Sequence, residues 1–168
     1  TQDNDTFGVT TTGTVTLNGR LAINQIAVEG LVLTGLDGDD IFNIPGNHPY
    51  TAGISIQAGN PSASDIVNFT ASATVANDVT MSFGAATVQE ATFGAVSLSG
   101  VELLNRNASG HTNTTVSGTA GNDTFAVTPT AADAVTTRLI SSDPGVGGTP
   151  VVNATGLGTT FTVDAAAG

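Results

Sequence analysis

Apolar and polar residues alternate with period two along most of the chain, in short runs. TVTL (14–17), GLVL (30–33), DIFNI (40–44), GISIQ (53–57), DIVNF (65–69) and VTMSF (79–83) carry the pattern first. AVSL (95–98), DTFAV (123–127), TRLI (137–140), PVVN (150–153) and TFTV (160–163) continue it. Such a period places alternate side chains on opposite faces of a strand, so Phe42 shares a face with Ile44, and Phe125 with Val127. Between the runs stand Gly, Asn, Asp and Pro, as in GNHP (46–49), GNPSAS (59–64) and DPGVGG (143–148), which is turn chemistry. The one stretch of helical composition, ATVQEA, is short and lies between Gly84 and Gly94. The pattern predicts an all-β chain.

A duplication underlies the runs. Asn4-Asp5 aligns with Asn77-Asp78, and Val28-Glu29 with Val101-Glu102, at one offset. From Asp40 and Asp123 onward the offset is larger, and Val67-Asn68 falls on Val152-Asn153. The step predicts an insertion in the polar stretch NASGHTNTT (107–115), where loops tolerate added length. Two half-units are expected, 1–76 and 77–168, with one continuous solenoid as the alternative. Gly168 followed by Thr1 would read GTQDNDTF, which aligns without a gap on GTAGNDTF (118–125), so a tandem array is a further expectation.

Composition narrows the functions. Three arginines, Arg20, Arg106 and Arg138, stand against fourteen carboxylates, Lys is absent, and the formal charge is -11. Nucleic acid is excluded as a partner, because neutralising phosphates needs clustered cations. Enzymes that use a lysine Schiff base or a phosphate-binding lysine are excluded as well. Without Cys there are no disulfides or thiolate metal sites. No apolar run approaches the roughly 20 residues of a helical membrane span, so no membrane insertion is expected. Aromatics make up only 5% and Trp is absent, so the core must consist of many thin aliphatic layers.

Two segments carry a family resemblance. IAVEGLVLTGLDGDDIFNI (26–44) and the stretch from VSLSGVELLNRN to VSGTAGNDTFAV (96–127) resemble repeat regions of large bacterial extracellular proteins related to hemolysin-type (RTX) calcium-binding repeats. The nonapeptide of that family is GGxGxDxUx, with U a large apolar residue. GLDGDDIFN (35–43) keeps Gly35, Gly38, Asp40 and Phe42, with Leu36 in place of a glycine. GTAGNDTFA (118–126) keeps Gly118, Gly121, Asp123 and Phe125, with Thr119 at the departing position. The resemblance implies a parallel β-helix (β-solenoid) of stacked short strands, an extracellular or cell-surface address, and Ca²⁺. The strand count alone also suits two immunoglobulin-like β-sandwich domains.

For calcium the candidate ligands are Asp37, Asp39 and Asp40, with a second set at Asn122 and Asp123, because Ca²⁺ is held by carboxylate and carbonyl oxygens. The competing reading is an Asp-rich turn whose Asp40 bonds the backbone. His48 and His111 are expected as solvated loop residues. Glu29 and Glu102, equivalent in the duplication, could be paired acids, but repetition favours a structural Glu that accepts backbone N–H groups at a rung corner. Neither Ser99 nor Ser117 has a base partner or a nucleophile-elbow context. No catalytic residue is expected. The sequence therefore predicts a non-enzymatic structural repeat segment that self-associates into an extracellular fibre, stalk or matrix. The alternative is a calcium-dependent adhesin or carbohydrate-binding module for surface glycans, with Tyr50 as its one tyrosine.

Overall fold

The computed structural model describes residues 3–20, 22–60, 64–74, 78–110, 113–141, 149–158 and 160–165, and among them are sixteen strands and no helix. In chain order these begin β1 (Thr6–Val9), β2 (Thr14–Leu17), β3 (Ile23–Asn24), β4 (Gly30–Asp37), β5 (Ile41–Pro45), β6 (Gly53–Asn60), β7 (Ile66–Thr70) and β8 (Val79–Ser82). There follow β9 (Thr87–Glu90), β10 (Val96–Ser99), β11 (Leu103–Asn107), β12 (Asn113–Ser117), β13 (Asp123–Ala131), β14 (Ala134–Ser141), β15 (Val151–Thr155) and β16 (Thr160–Asp164). Each run expected to be a strand is one, in whole or in most of its length. The turn at 143–148, Asn77, His111 and the two chain ends lie outside the described residues.

The strands form two mixed sheets, neither closed into a barrel. One has the order β13-β14-β15-β11-β7-β5-β1-β2-β3, the other β16-β12-β8-β9-β10-β6-β4. In the first sheet β1, β5, β7, β11 and β15 are parallel neighbours, with antiparallel hairpin strands added at both ends. In the second, β4, β6 and β10 are parallel, as are β8, β12 and β16, and β9 joins the two groups. Strands from either side of residue 76 are neighbours in both sheets, β7 beside β11 and β6 beside β10.

A short recurring pattern explains the parallel strands. Asp40-Ile41-Phe42-Asn43, Asp65-Ile66-Val67-Asn68, Glu102-Leu103-Leu104-Asn105 and Pro150-Val151-Val152-Asn153 each place a corner residue before two apolar residues and an Asn. Pairing in register stacks Phe7, Phe42, Val67, Leu104 and Val152 in one buried column. Phe7 and Phe42 lie ring on ring, with centroids 4.9 Å apart. Ile54, Ile56, Met81, Val88, Val96 and Val116 of the second sheet belong to the same core cluster. Each such side chain contributes about 1.5–3 kcal/mol on burial. The corner acids are separated by 35, 25 and 37 residues, because the connections between these parallel strands differ in length and some hold an extra hairpin.

Two stretches outside the alternating runs also carry strand. The stretch 107–115 holds the end of β11 and the start of β12, and only a tight turn separates them in the described residues. ATVQEA, without helix as expected, contains β9, whose Val88 and Glu90 point inward. Its pairing with β8 and β10 overrides local composition.

Candidate functional site

A column of carboxylates runs across the starts of the parallel strands of the first sheet. The Asp5 amide donates to Asp40 Oδ1 (2.7 Å), the Asp40 amide to Asp65 Oδ1 (2.8 Å), and the Asp65 amide to Glu102 Oε2 (2.8 Å). Main-chain bonds run beside them, from Ile41 to the Asp5 carbonyl and from Ile66 to the Asp40 carbonyl. Each acid thus satisfies an amide that the corner would otherwise leave buried and unpaired. Asp5, Asp40 and Asp65 are fully buried, and Oδ2 of Asp40 and of Asp65 takes no hydrogen bond. Burial, foremost, and the neighbouring acids hold Asp40, Asp65 and Glu102 above the usual carboxylate range, against the lowering effect of the amide bonds.

The Gly-rich turns position these acids. Asp40 Oδ2 lies against Gly35, where a Cβ would collide with it and with the Ala58 carbonyl. Gly118 stands in the same relation to Asp123 Oδ2. Asp123, however, folds back on its own turn: Oδ2 accepts the Thr119 amide (2.6 Å) and Oδ1 the Thr119 hydroxyl (2.8 Å). Leu36, which stands where the family pattern has glycine, adopts a φ of 82°, a region costly for a branched side chain.

The structure does not gather the predicted calcium ligands. Asp40 turns into the column, Asp39 Oδ1 accepts the Ser64 hydroxyl (2.8 Å), and Asp37 is exposed at the end of β4. Asn122 is exposed, and both carboxylate oxygens of its neighbour Asp123 are taken up by Thr119. Among the described residues no group of three or more His, Asp or Glu could hold a metal ion. A Ca²⁺ ion needs about six to eight oxygens around one point, and these residues do not fit it.

A second column lies on the outer face of the same strands. Asn68 donates to Asn43 Oδ1 (2.9 Å), Asn105 to Asn68 Oδ1 (3.0 Å) and Asn153 to Asn105 Oδ1 (3.1 Å), and Thr136 caps the row through Asn153 Oδ1 (2.9 Å). Identical amides one strand apart link donor to acceptor, so the row ties four parallel strands together. A cleft of about 480 Å³ over this row is lined by Asn68, Asn105, Asn153, Thr70 and Thr136 among others.

Other candidates behave as structure. Of the two equivalent acids, Glu102 accepts an amide at a corner as the structural reading expects, whereas Glu29 is exposed and offers only its carbonyl, to Ala52. His48 corrects the expectation of a solvated loop residue. It is buried beside Tyr50, and desolvation holds its imidazole below the ordinary value. Tyr50 is buried too, its hydroxyl donating to the Gly13 carbonyl (2.8 Å), so it is no exposed platform for a sugar. Ser117 Oγ bonds the Met81 carbonyl. Arg106, in the inward column between Phe69 and Ala154, donates to the Val79 carbonyl (3.1 Å), while its Nε and Nη2 find no acceptor. Burial lowers its pKa to about 10.

The last feature is the end of the stack. Val15, Leu17, Ile23, Leu31 and Val32 line an apolar groove of about 380 Å³ between the two sheets, with Arg20 on its wall. Compared with known protein families, characterised proteins and solved structures, the chain matches none of them. The site is therefore defined by its own geometry. Sequence reasoning anticipated a backbone-accepting Glu102 and Asp40 but not that these acids line up in one column, nor the asparagine row, although the recurrence of an acid three residues ahead of an Asn was the available signal.

Proposed function

We propose that the chain is a non-enzymatic structural segment of a secreted or cell-surface protein, a stacked parallel β-helix that forms part of an extracellular fibre, stalk or matrix. One observation carries this reading. The acids that could have done chemistry accept backbone amides from the preceding rung, so they serve the stack itself. The asparagine row, spanning four rungs of the outer face, supports it independently. So does the corner pattern, which keeps its register while the rungs vary in length. Among the described residues, the ionisable groups lining the clefts at the asparagine row, beside Pro49 and between the sheet ends are Arg106, His48 and Arg20, which form no acid–base pair.

The address is tested by antibodies raised against this chain, applied to intact source cells. Immunogold label along filaments or a layer outside the cell is the expected result. Label confined to the interior of opened cells would overturn the reading.

A further inference from the structure

The large apolar side chains exposed among the described residues are confined to the outermost strands and their connections. Leu17, Ile23, Ile26, Val28, Val32 and Leu36 lie on β2, β3, β4 and the segment entering β4, and Val127 and Ile140 lie on β13 and β14. The interior parallel strands expose none of this kind. The terminal strands at both ends therefore carry exposed apolar side chains that the interior parallel strands lack, and apolar surface held at defined patches marks contact sites.

Strand direction shows which contact fits. Two antiparallel steps separate β13 from β15, and two separate β3 from β1, so β3 and β13 run in the direction of the parallel core. Likewise β9 reverses direction twice between β8 and β10, so β16 and β4 run the same way. A second copy displaced along the stack brings β13 beside β3 and β16 beside β4, all as parallel pairs. That is the pairing already used inside the molecule.

Two local features agree. Residues 4–7 and 122–125 are both Asn-Asp-Thr-Phe, and each opens a hairpin strand, β1 with β2 and β13 with β14. On the edge away from its hairpin partner, β1 carries the parallel strand β5, whereas among the described residues the corresponding edge of β13 has no neighbour in its sheet. At the opposite end, Leu36 keeps a large side chain 54% exposed at a backbone position where glycine would be unstrained. Contact with a neighbour gives that side chain a use.

We propose that the β3–β4 end of one copy receives the β13–β16 end of a second copy, so that copies join head to tail through both sheets. This rests on reading the chain as a structural segment. The two patches differ, so the contact is heterologous and propagates as a filament rather than closing a dimer. Of the three cations, Arg20 lies at one end and Arg138, on β14, at the other. Each copy carries a formal charge of -11, so added salt strengthens the association by screening the remaining repulsion.

The chain has no cysteine, so introduced ones report cleanly. Val32→Cys is placed on one batch, and Thr160→Cys or Thr162→Cys on another. On oxidation, the mixtures should give a disulfide-linked dimer that each batch alone gives at least about tenfold less. In parallel, sedimentation of the wild type should show concentration-dependent growth, which Val32→Lys abolishes while its melting temperature stays unchanged. Self-linking of the Val32→Cys batch as efficient as that of the mixtures would mean edge-to-edge pairing of β4 and would overturn the proposal. A wild type that stays monomeric at millimolar concentration and high salt would overturn it too. Surface labelling of cells would stand in either case, so failure here is distinct from failure of the structural reading.

Discussion

The acidic turns at 35–40 and 118–123 share a glycine five residues ahead of an aspartate whose carboxylate packs against it. Their uses differ. Asp40 reaches across to Asp5, and its own amide is taken by Asp65, so it is one step in a column of buried acids. Asp123 closes on Thr119, four residues away, and stays within its turn. Asp40 precedes a strand flanked by parallel neighbours, whereas Asp123 opens β13, whose sole partner among the described residues is its own hairpin strand. The same motif becomes an inter-strand brace or a local cap according to whether a parallel strand lies beside it.

The sharpest test of that difference is a methyl group. Gly35→Ala drives a Cβ into the Asp40 carboxylate and into the Ala58 backbone of the neighbouring strand, neither of which can withdraw. We expect a loss of about 3 kcal/mol or more in urea unfolding. Gly118→Ala meets chiefly the end of the Asp123 side chain, which can swing away at the expense of its bonds to Thr119. A loss of about 1 kcal/mol is expected there. Equal losses would erase the distinction between brace and cap.

Next in size is removal of the acids. Asp65→Ala strands the buried Asp40 amide and leaves a void, at an expected cost of about 2–3 kcal/mol. Asp123→Ala frees only a part-buried amide of its own turn and should cost about 1 kcal/mol.

The pH response follows from the raised pKa values of Asp40, Asp65 and Glu102. A carboxyl harder to ionise in the folded than in the unfolded chain favours folding when protonated. The stability these groups contribute is complete below their ordinary range and is lost as pH rises through their raised values. Cooling of the net charge of -11 by protonation acts in the same direction. The melting temperature should therefore rise as pH falls from 7 toward 5, and Asp65→Asn should flatten that rise. A steady fall over this interval would show the column to be stabilised by its charges.

Smallest is the effect of calcium. Since the two turns gather no ligand set, adding Ca²⁺ or a chelator should move the melting temperature by less than about 1 °C. A rise of several degrees abolished by Asp39→Ala would reinstate a site at the turn of 35–40.

The strands were legible in the sequence because alternation with period two is local. β11 was missed because Leu103 and Leu104 are adjacent and Arg106 occupies an inward position, which breaks the pattern. β12 was hidden in Asn and Thr, which read as loop until β8 and β16 flank them. The corner pattern escaped a search for one fixed offset because hairpins of unequal length separate its copies. The calcium candidates show the deeper limit. Glycine and aspartate spacing specifies a turn with a carboxylate inside it, but which donor that carboxylate meets depends on a strand some 25 to 35 residues away.

Titration of the carboxyl carbons of Asp40 and Asp65 by NMR, with and without Ca²⁺, tests most directly whether these acids belong to the stack. Midpoints above the ordinary carboxylate range and unmoved by calcium are the predicted result. Midpoints at or below that range, or a calcium-dependent shift, would contradict the account.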